Sequence, residues 1–152
     1  MHHLPYPASP QRRPAGMNRL AARIASIEVH GSIALVDATA FGQRFTAMLI
    51  GAGAEVASWQ ADMPVMLMFK EAEVSLARNL AGQISLRNRL ACTVTGVEEG
   101  KLMTRVRLDF HGQAIASIIT TRSAHALQIV PGDSVEALIK ANEMTVVRDP
   151  KP

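Results

Sequence analysis

Between Leu102 and Phe110 the chain alternates: Leu102, Thr104, Val106, Leu108 and Phe110 fall on one side, with Met103, Arg105, Arg107 and Asp109 on the other. A period of two is the signature of a strand with one face buried. The turn residues His111 to Gln113 then lead into a second apolar run, AIASIIT, so the two segments read as a hairpin. Thr121 to Gln128 (TRSAHALQ) places helix formers behind a Thr, an N-cap residue type, and Pro131-Gly132 stops them. Alternation returns in SVEALIK, where Val135, Ala137 and Ile139 oppose Glu136, Leu138 and Lys140, and MTVVR closes the module.

The same pattern occurs twice. Sliding the chain on itself by 70 residues aligns Asn18–Ala21 with Asn88–Ala91 (NRLA in both), Gly42-Gln43 with Gly112-Gln113, and FKEAEVSLAR with IKANEMTVVR. Without a gap, 13 of 61 positions are identical between 18–78 and 88–148, well above chance, so the chain is a tandem duplication. Modules are expected at 18–79 and 85–149, joined by a link at 80–84, behind a proline-rich tail at 1–17. Each reads β-β-β-α-β-β. The expected fold is all-β with one short helix per repeat: two tandem five-stranded small barrels of the oligonucleotide/oligosaccharide-binding type.

Charge narrows the function classes. The chain carries +3 overall, yet Arg12 and Arg13 stand in an acid-free tail, which leaves 14 basic and 13 acidic residues beyond it. With four Phe, one Trp and one Tyr, few rings are available to stack bases, so nucleic-acid binding falls to a minor alternative. No apolar run of membrane-spanning length occurs and the N-terminus lacks the apolar core of a secretory signal. A single cysteine, Cys92, agrees with a reducing compartment, and cytoplasmic residence is expected. The histidines lack ligand spacing, and no phosphate-cradling G-x-x-x-x-G-K, Cys/His pairing or carboxylate pair for acid–base work is present, so neither a metal-ion site nor an enzyme is expected.

Ser85 to Asn88 (SLRN), Thr120 and Ser123 with their neighbours Ile119 and Ala124, Pro131-Gly132, and Ile139 to Asn142 (IKAN) together resemble the Mop, or molbindin, module of the TOBE superfamily. That resemblance implies a tetrahedral dianion, molybdate or tungstate, as ligand, with no organic cofactor. It implies Ser85, Arg87, Asn88, Thr120, Ser123, Lys140 and Ala141 as the oxyanion-binding set. The residue types suit that chemistry, since every one can donate and none is an obligatory acceptor. The first module is looser, with Ala15, Met17, Ile50 and Gly53 where the second has Ser85, Arg87, Thr120 and Ser123; it offers at most a weaker second site at Asn18 and Lys70. Family assembly further implies pockets between modules, a homo-oligomer (dimer or trimer), and a molybdate ABC transporter as partner. Simpler roles stand beside these. Thr120 and Ser123 also suit a plain helix cap, Arg87 and Lys140 solvated barrel charges, and Asn88, recurring as Asn18, a structural turn. The alternative functions are a ligand-free assembly module and, less favoured, a small-barrel nucleic-acid binder.

Overall fold

The computed structural model describes residues 16–149; the tail, apart from Gly16 and Met17, lies outside the described residues, and so does Ala15. The first repeat supplies β1 (Met17–His30), β2 (Ile33–Ala40), β3 (Gln43–Ile50), α1 (Gly53–Val56), β4 (Pro64–Lys70), a 3₁₀ turn (Glu71–Glu73) and β5 (Ser75–Ala77). The second supplies β6 (Asn88–Glu99), β7 (Met103–Phe110), β8 (Gln113–Thr120), α2 (Thr121–Ala126), β9 (Ser134–Ile139), a 3₁₀ turn (Ala141–Glu143) and β10 (Thr145–Arg148). The fold is mostly strand in two five-stranded sheets, as the alternation required. Alternate residues point inward: Val36, Phe45, Val65, Leu67 and Phe69 from one repeat and Leu90, Val106, Phe110 and Ile139 from the other form one buried cluster.

The last strand of each repeat does not close its own sheet. The strand orders are β10-β4-β1-β2-β3 and β5-β9-β6-β7-β8, so β10 pairs with β4 (Thr145↔Met68, Arg148↔Val65) and β5 with β9 (Ser75↔Leu138, Ala77↔Glu136). The expectation that MTVVR completes its own module is thereby corrected. A 3₁₀ turn after β4 and after β9 lifts the chain off its own sheet, Val74 and Met144 bury at the crossing, and the following strand reaches the open edge of the other repeat. Period-two alternation specifies that a segment is a strand but not which edge it joins. A repeat of this size buries little apolar surface alone, and the exchange fuses two small cores into one.

The repeats are related by an approximate twofold axis. Both β2–β3 and β7–β8 turn through two residues at positive φ, Phe41 (54°) with Gly42 (73°) and His111 (51°) with Gly112 (85°), the backbone that matches hairpin twist. The Phe41 and His111 rings stack at 4.9 Å and 9°, so the two hairpin tips meet at equivalent positions. Bulges recur at Ile24/Ser26 and Val94/Gly96, and each is docked by the loop before the fourth strand (Ile24 N–H to Met63 O, Val94 N–H to Asp133 O).

Candidate functional site

Two buried asparagines set the geometry. Asn88 Nδ2 donates to Thr46 O (2.9 Å) and to Ile139 O (3.0 Å), while Thr46 N–H donates to Asn88 Oδ1 (2.8 Å). Asn18 does the same in reverse, giving Nδ2 to Ala116 O and taking Ala116 N–H, both at 2.8 Å. Thr46 and Ala116 are themselves 70 residues apart, on the edge strands β3 and β8. Each carboxamide therefore acts as one rung of a ladder between repeats. Both side-chain donors of Asn88 are consumed in this way and leave its side chain none for an anion, while Asn18 gives one of its donors to the equivalent rung. Their recurrence marks a junction between repeats, where the sequence suggested a turn.

Arg87 and Lys140 flank the last pair of one ladder. The β6–β9 ladder ends at Asn88↔Ile139, and the same register carried one step outward sets Arg87 against Lys140. In the first repeat that step is a formed pair, Met17↔Lys70. Asn88 and Ile139 are buried, whereas their chain neighbours Arg87 and Lys140 are exposed, and so is Ser85. The 3₁₀ turn that begins at Ala141 packs on β3. Ser85, Arg87 and Lys140 make no side-chain hydrogen bond, and the Ala141 N–H has no protein acceptor among the described residues. Nearby, a hydrogen bond with Glu73, partial burial and the charge of Glu73 hold the Glu143 carboxyl above its ordinary value, with Lys140 pulling the other way.

Thr120 and Ser123 lie elsewhere. Arg89 O accepts from Gln43 Nε2 (2.5 Å) and Asn88 meets Thr46, so the residues before Asn88 run along β3 toward Ile50 and Gly53, not toward Thr120. The 3₁₀ turn after Lys70 packs instead on β8, the strand that ends at Thr120. Here the capping role is realised: Thr120 Oγ1 accepts Ser123 N–H (3.1 Å) and donates to Ser123 Oγ (2.8 Å). The helix so capped is six residues long. A cleft of about 530 Å³ opens beside it, lined by Thr120, Thr121, Arg122 and His125 with the apolar Leu102 and Met103.

One feature beside β8 escaped the sequence. Glu71 follows Lys70 as Ala141 follows Lys140, but its carboxylate is buried and takes two bonds from Arg105, Nε to Oε1 at 3.0 Å and Nη2 to Oε2 at 3.2 Å. Its backbone N–H donates to Gly16 O (2.7 Å), whereas the Ala141 N–H is open. The only sequence signal was the break in the repeat at both positions, Glu71 against Ala141 and Arg105 against Leu35. Among the described residues no group of three or more His, Cys, Asp or Glu side chains gathers as metal ligands would.

Residues 84–146 match the TOBE domain model. Part of the chain, 80 residues or 52% of it, is 42% identical to 22% of the molybdenum import ATP-binding protein ModC of Brucella abortus (strain 2308). Over 105 residues (68% of the chain) it is 33% identical to 38% of the molybdenum-pterin-binding protein MopB of Rhodobacter capsulatus. The chain thus spans well under half the length of these relatives. A solved structure of the cytoplasmic molybdate-binding protein ModG, with molybdate bound, superposes with a TM-score of 0.83 at 24% identity, covering 90% of this chain and 99% of that one. This likeness establishes the shared two-repeat fold.

Proposed function

We propose that this chain, whose residues 84–146 match the TOBE domain model, is a cytoplasmic, non-enzymatic oxyanion binder that holds molybdate or tungstate for molybdenum storage, sensing or import. What supports this reading is the end of the β6–β9 ladder at Asn88↔Ile139, which Arg87 and Lys140 flank in the chain, with Ser85 just before and an Ala141 N–H that has no protein acceptor among the described residues just after. A tetrahedral dianion stripped of water needs donors around all four oxygens, and charge-assisted donors are the strongest. Within one chain this end of the ladder faces Ile50 and Gly53, which bring no hydroxyl. Thr120 and Ser123 of a second copy would complete the set, which makes the binding unit an oligomer, a dimer or trimer. The ModC and MopB relatives support a link to molybdate handling, with a molybdate ABC transporter as partner.

The test is calorimetric titration of the whole chain with molybdate, tungstate and sulfate, alongside its mass in solution. Dissociation constants of about 1 µM or tighter, corresponding to about −8 kcal/mol, are expected for molybdate, and Lys140→Ala or Ser85→Ala is expected to abolish them. Silence of the folded, assembled chain toward all three anions would leave the assembly-module reading in possession.

A further inference from the structure

The strand β3, on which the turn after Lys140 packs, carries part of an exposed apolar face. The pairs His30↔Ile33 and Ile33↔Ile50 form one row across β1, β2 and β3, and Glu28↔Leu35 and Leu35↔Met48 form the next, so these side chains share a face of the sheet. Ile33 and Leu35 stand exposed beside the buried Ala34 and Val36, and Ile50 is 71% exposed. In the second repeat the same places hold Met103, Arg105, Ile118 and Thr120, and Arg105 is tied to Glu71 and Glu98. Large apolar side chains left together in water mark a surface that another surface covers.

The second repeat carries a surface of matching kind. Leu102, 78% exposed, and Met103 line the cleft beside α2 together with Thr120, and Lys101 and Arg122 give its rim positive charge. Neither Lys101 nor Arg122 makes an ion pair among the described residues, whereas His125 meets Glu99. In the first repeat Gly31, Ala52 and Glu55 take the positions of Lys101, Arg122 and His125, and Glu28 lies within the apolar rows without an ion pair, while its equivalent Glu98 is engaged by Arg105 and Arg107. Places equivalent under the repeat therefore bear opposite charge. We infer that the Ile33–Ile50 face of one copy docks on the Leu102–Met103 cleft of a second copy, so that unlike repeats meet across the contact. This deepens the oxyanion reading and rests on it for the identity of the occupant: a copy that brings Thr120 to the Lys140 end of the ladder brings Leu102 and Met103, which share the Thr120 cleft, against β3. Apolar surface is covered at the centre and the charges around it are of opposite sign. Like surfaces are kept apart, since two Ile33–Ile50 faces would set Glu28 and Glu55 against their own copies, and two clefts would do the same with Lys101 and Arg122.

The test uses the full chain, its mass in solution measured by light scattering at equal chain concentrations and without added anion. Ile50→Lys and Leu102→Lys each set a charge in one apolar surface, at exposed positions outside the anion-binding set, and circular dichroism checks that both variants stay folded. Each alone should fall to the mass of a single chain, because every contact needs both surfaces. Mixed in equal amounts they should recover the mass of two chains, since the intact cleft of Ile50→Lys meets the intact face of Leu102→Lys. Reversing the rim with Lys101→Glu/Arg122→Glu should weaken assembly at least about tenfold, and Glu28→Lys/Glu55→Lys supplied as the second chain should restore it. A wild type that is already a single chain, a folded Ile50→Lys or Leu102→Lys that keeps the wild-type mass, or a mixture that stays at the mass of one chain overturns the inference. The oxyanion reading fails separately: an assembled wild type that ignores molybdate refutes the Lys140 site and leaves this contact standing.

Discussion

Replacing Asn88 by Ala separates a structural from a binding role, because its side chain was expected in the oxyanion set and is found in the junction. The substitution removes three hydrogen bonds and strands the N–H and C=O of Thr46 and the C=O of Ile139, with Asn88 itself fully buried. At about 1 kcal/mol net per bond, and more where the stranded group is shut off from water, the loss is about 2–4 kcal/mol. For a chain of this size that is about 5–15 °C in melting temperature. Asn88→Asp, nearly isosteric, keeps the acceptor for Thr46 N–H but discards both donors and buries a charge, so it should cost at least as much. Urea unfolding followed by circular dichroism gives the free energies. Calorimetric titration well below the melting temperature gives molybdate affinity, which should stay within about threefold of wild type, a difference under 1 kcal/mol. A loss of stability below about 1 kcal/mol, or a tenfold loss of affinity in folded protein, would refute the assignment.

Three further outcomes follow from individual residues. Ser117→Ala removes a buried 2.6 Å bond from Oγ to Val74 O at the strand crossing and should lower stability by about 1–2 kcal/mol in urea titration, although the first repeat carries Ala at the equivalent position, Ala47. Glu143 is held above its ordinary value of 4.5 in the folded chain, so its contribution is present below that value and is lost as pH rises through the higher folded value. Urea midpoints of Glu143→Gln should accordingly change less than wild type's from pH 4 to pH 7 and lie above them at pH 7. Burial pushes the Cys92 thiol up to about 12, against a weaker opposing hydrogen bond with Ala137, so an aromatic disulfide reagent should label it only at the rate of unfolding at pH 8 and at once in urea.

The strands, the helices and the hairpin tips were legible because each rests on short-range information: period two for the strands, Thr before a run of helix formers, His111-Gly112 where the backbone needs positive φ. The exchange of β5 and β10 was not, since SLA and TVVR alternate alike whichever edge they join. At the candidate site, the neighbourhood of Arg87 and Lys140 on either side of the Asn88↔Ile139 pair becomes visible only once the ends of β6 and β9 are placed. The two roles weighed for Asn88 stayed side by side because a carboxamide that donates to a ligand and one that donates to a backbone carbonyl look identical in sequence. Its twin, Asn18, in a repeat lacking the other donors, was the available clue. Glu71 was passed over because an acidic residue on a short turn is usually a solvated one, and only the packing of that turn on β8 reveals the fork with Arg105.

Where the repeats agree and where they differ has a common physical cause. Asn18 and Asn88 hold one junction from both sides, and each clamps the edge strand of the other repeat, so losing either leaves backbone groups unpaired within a single shared core. The hairpin tips are tied in the same way through the Phe41–His111 stack. Such reciprocal contacts penalise divergence of one copy alone. The two 3₁₀ turns are different: one packs on β8 and the other on β3, and a substitution at 71 or 105 leaves Ala141 and Leu35 untouched. A duplicated chain can thus hold its scaffold symmetrical while single positions differ between its copies, Ala141 and Leu35 standing where Glu71 and Arg105 form a buried ion pair. Two separate copies of a single-repeat chain could not do this, because any residue change would appear at both places at once.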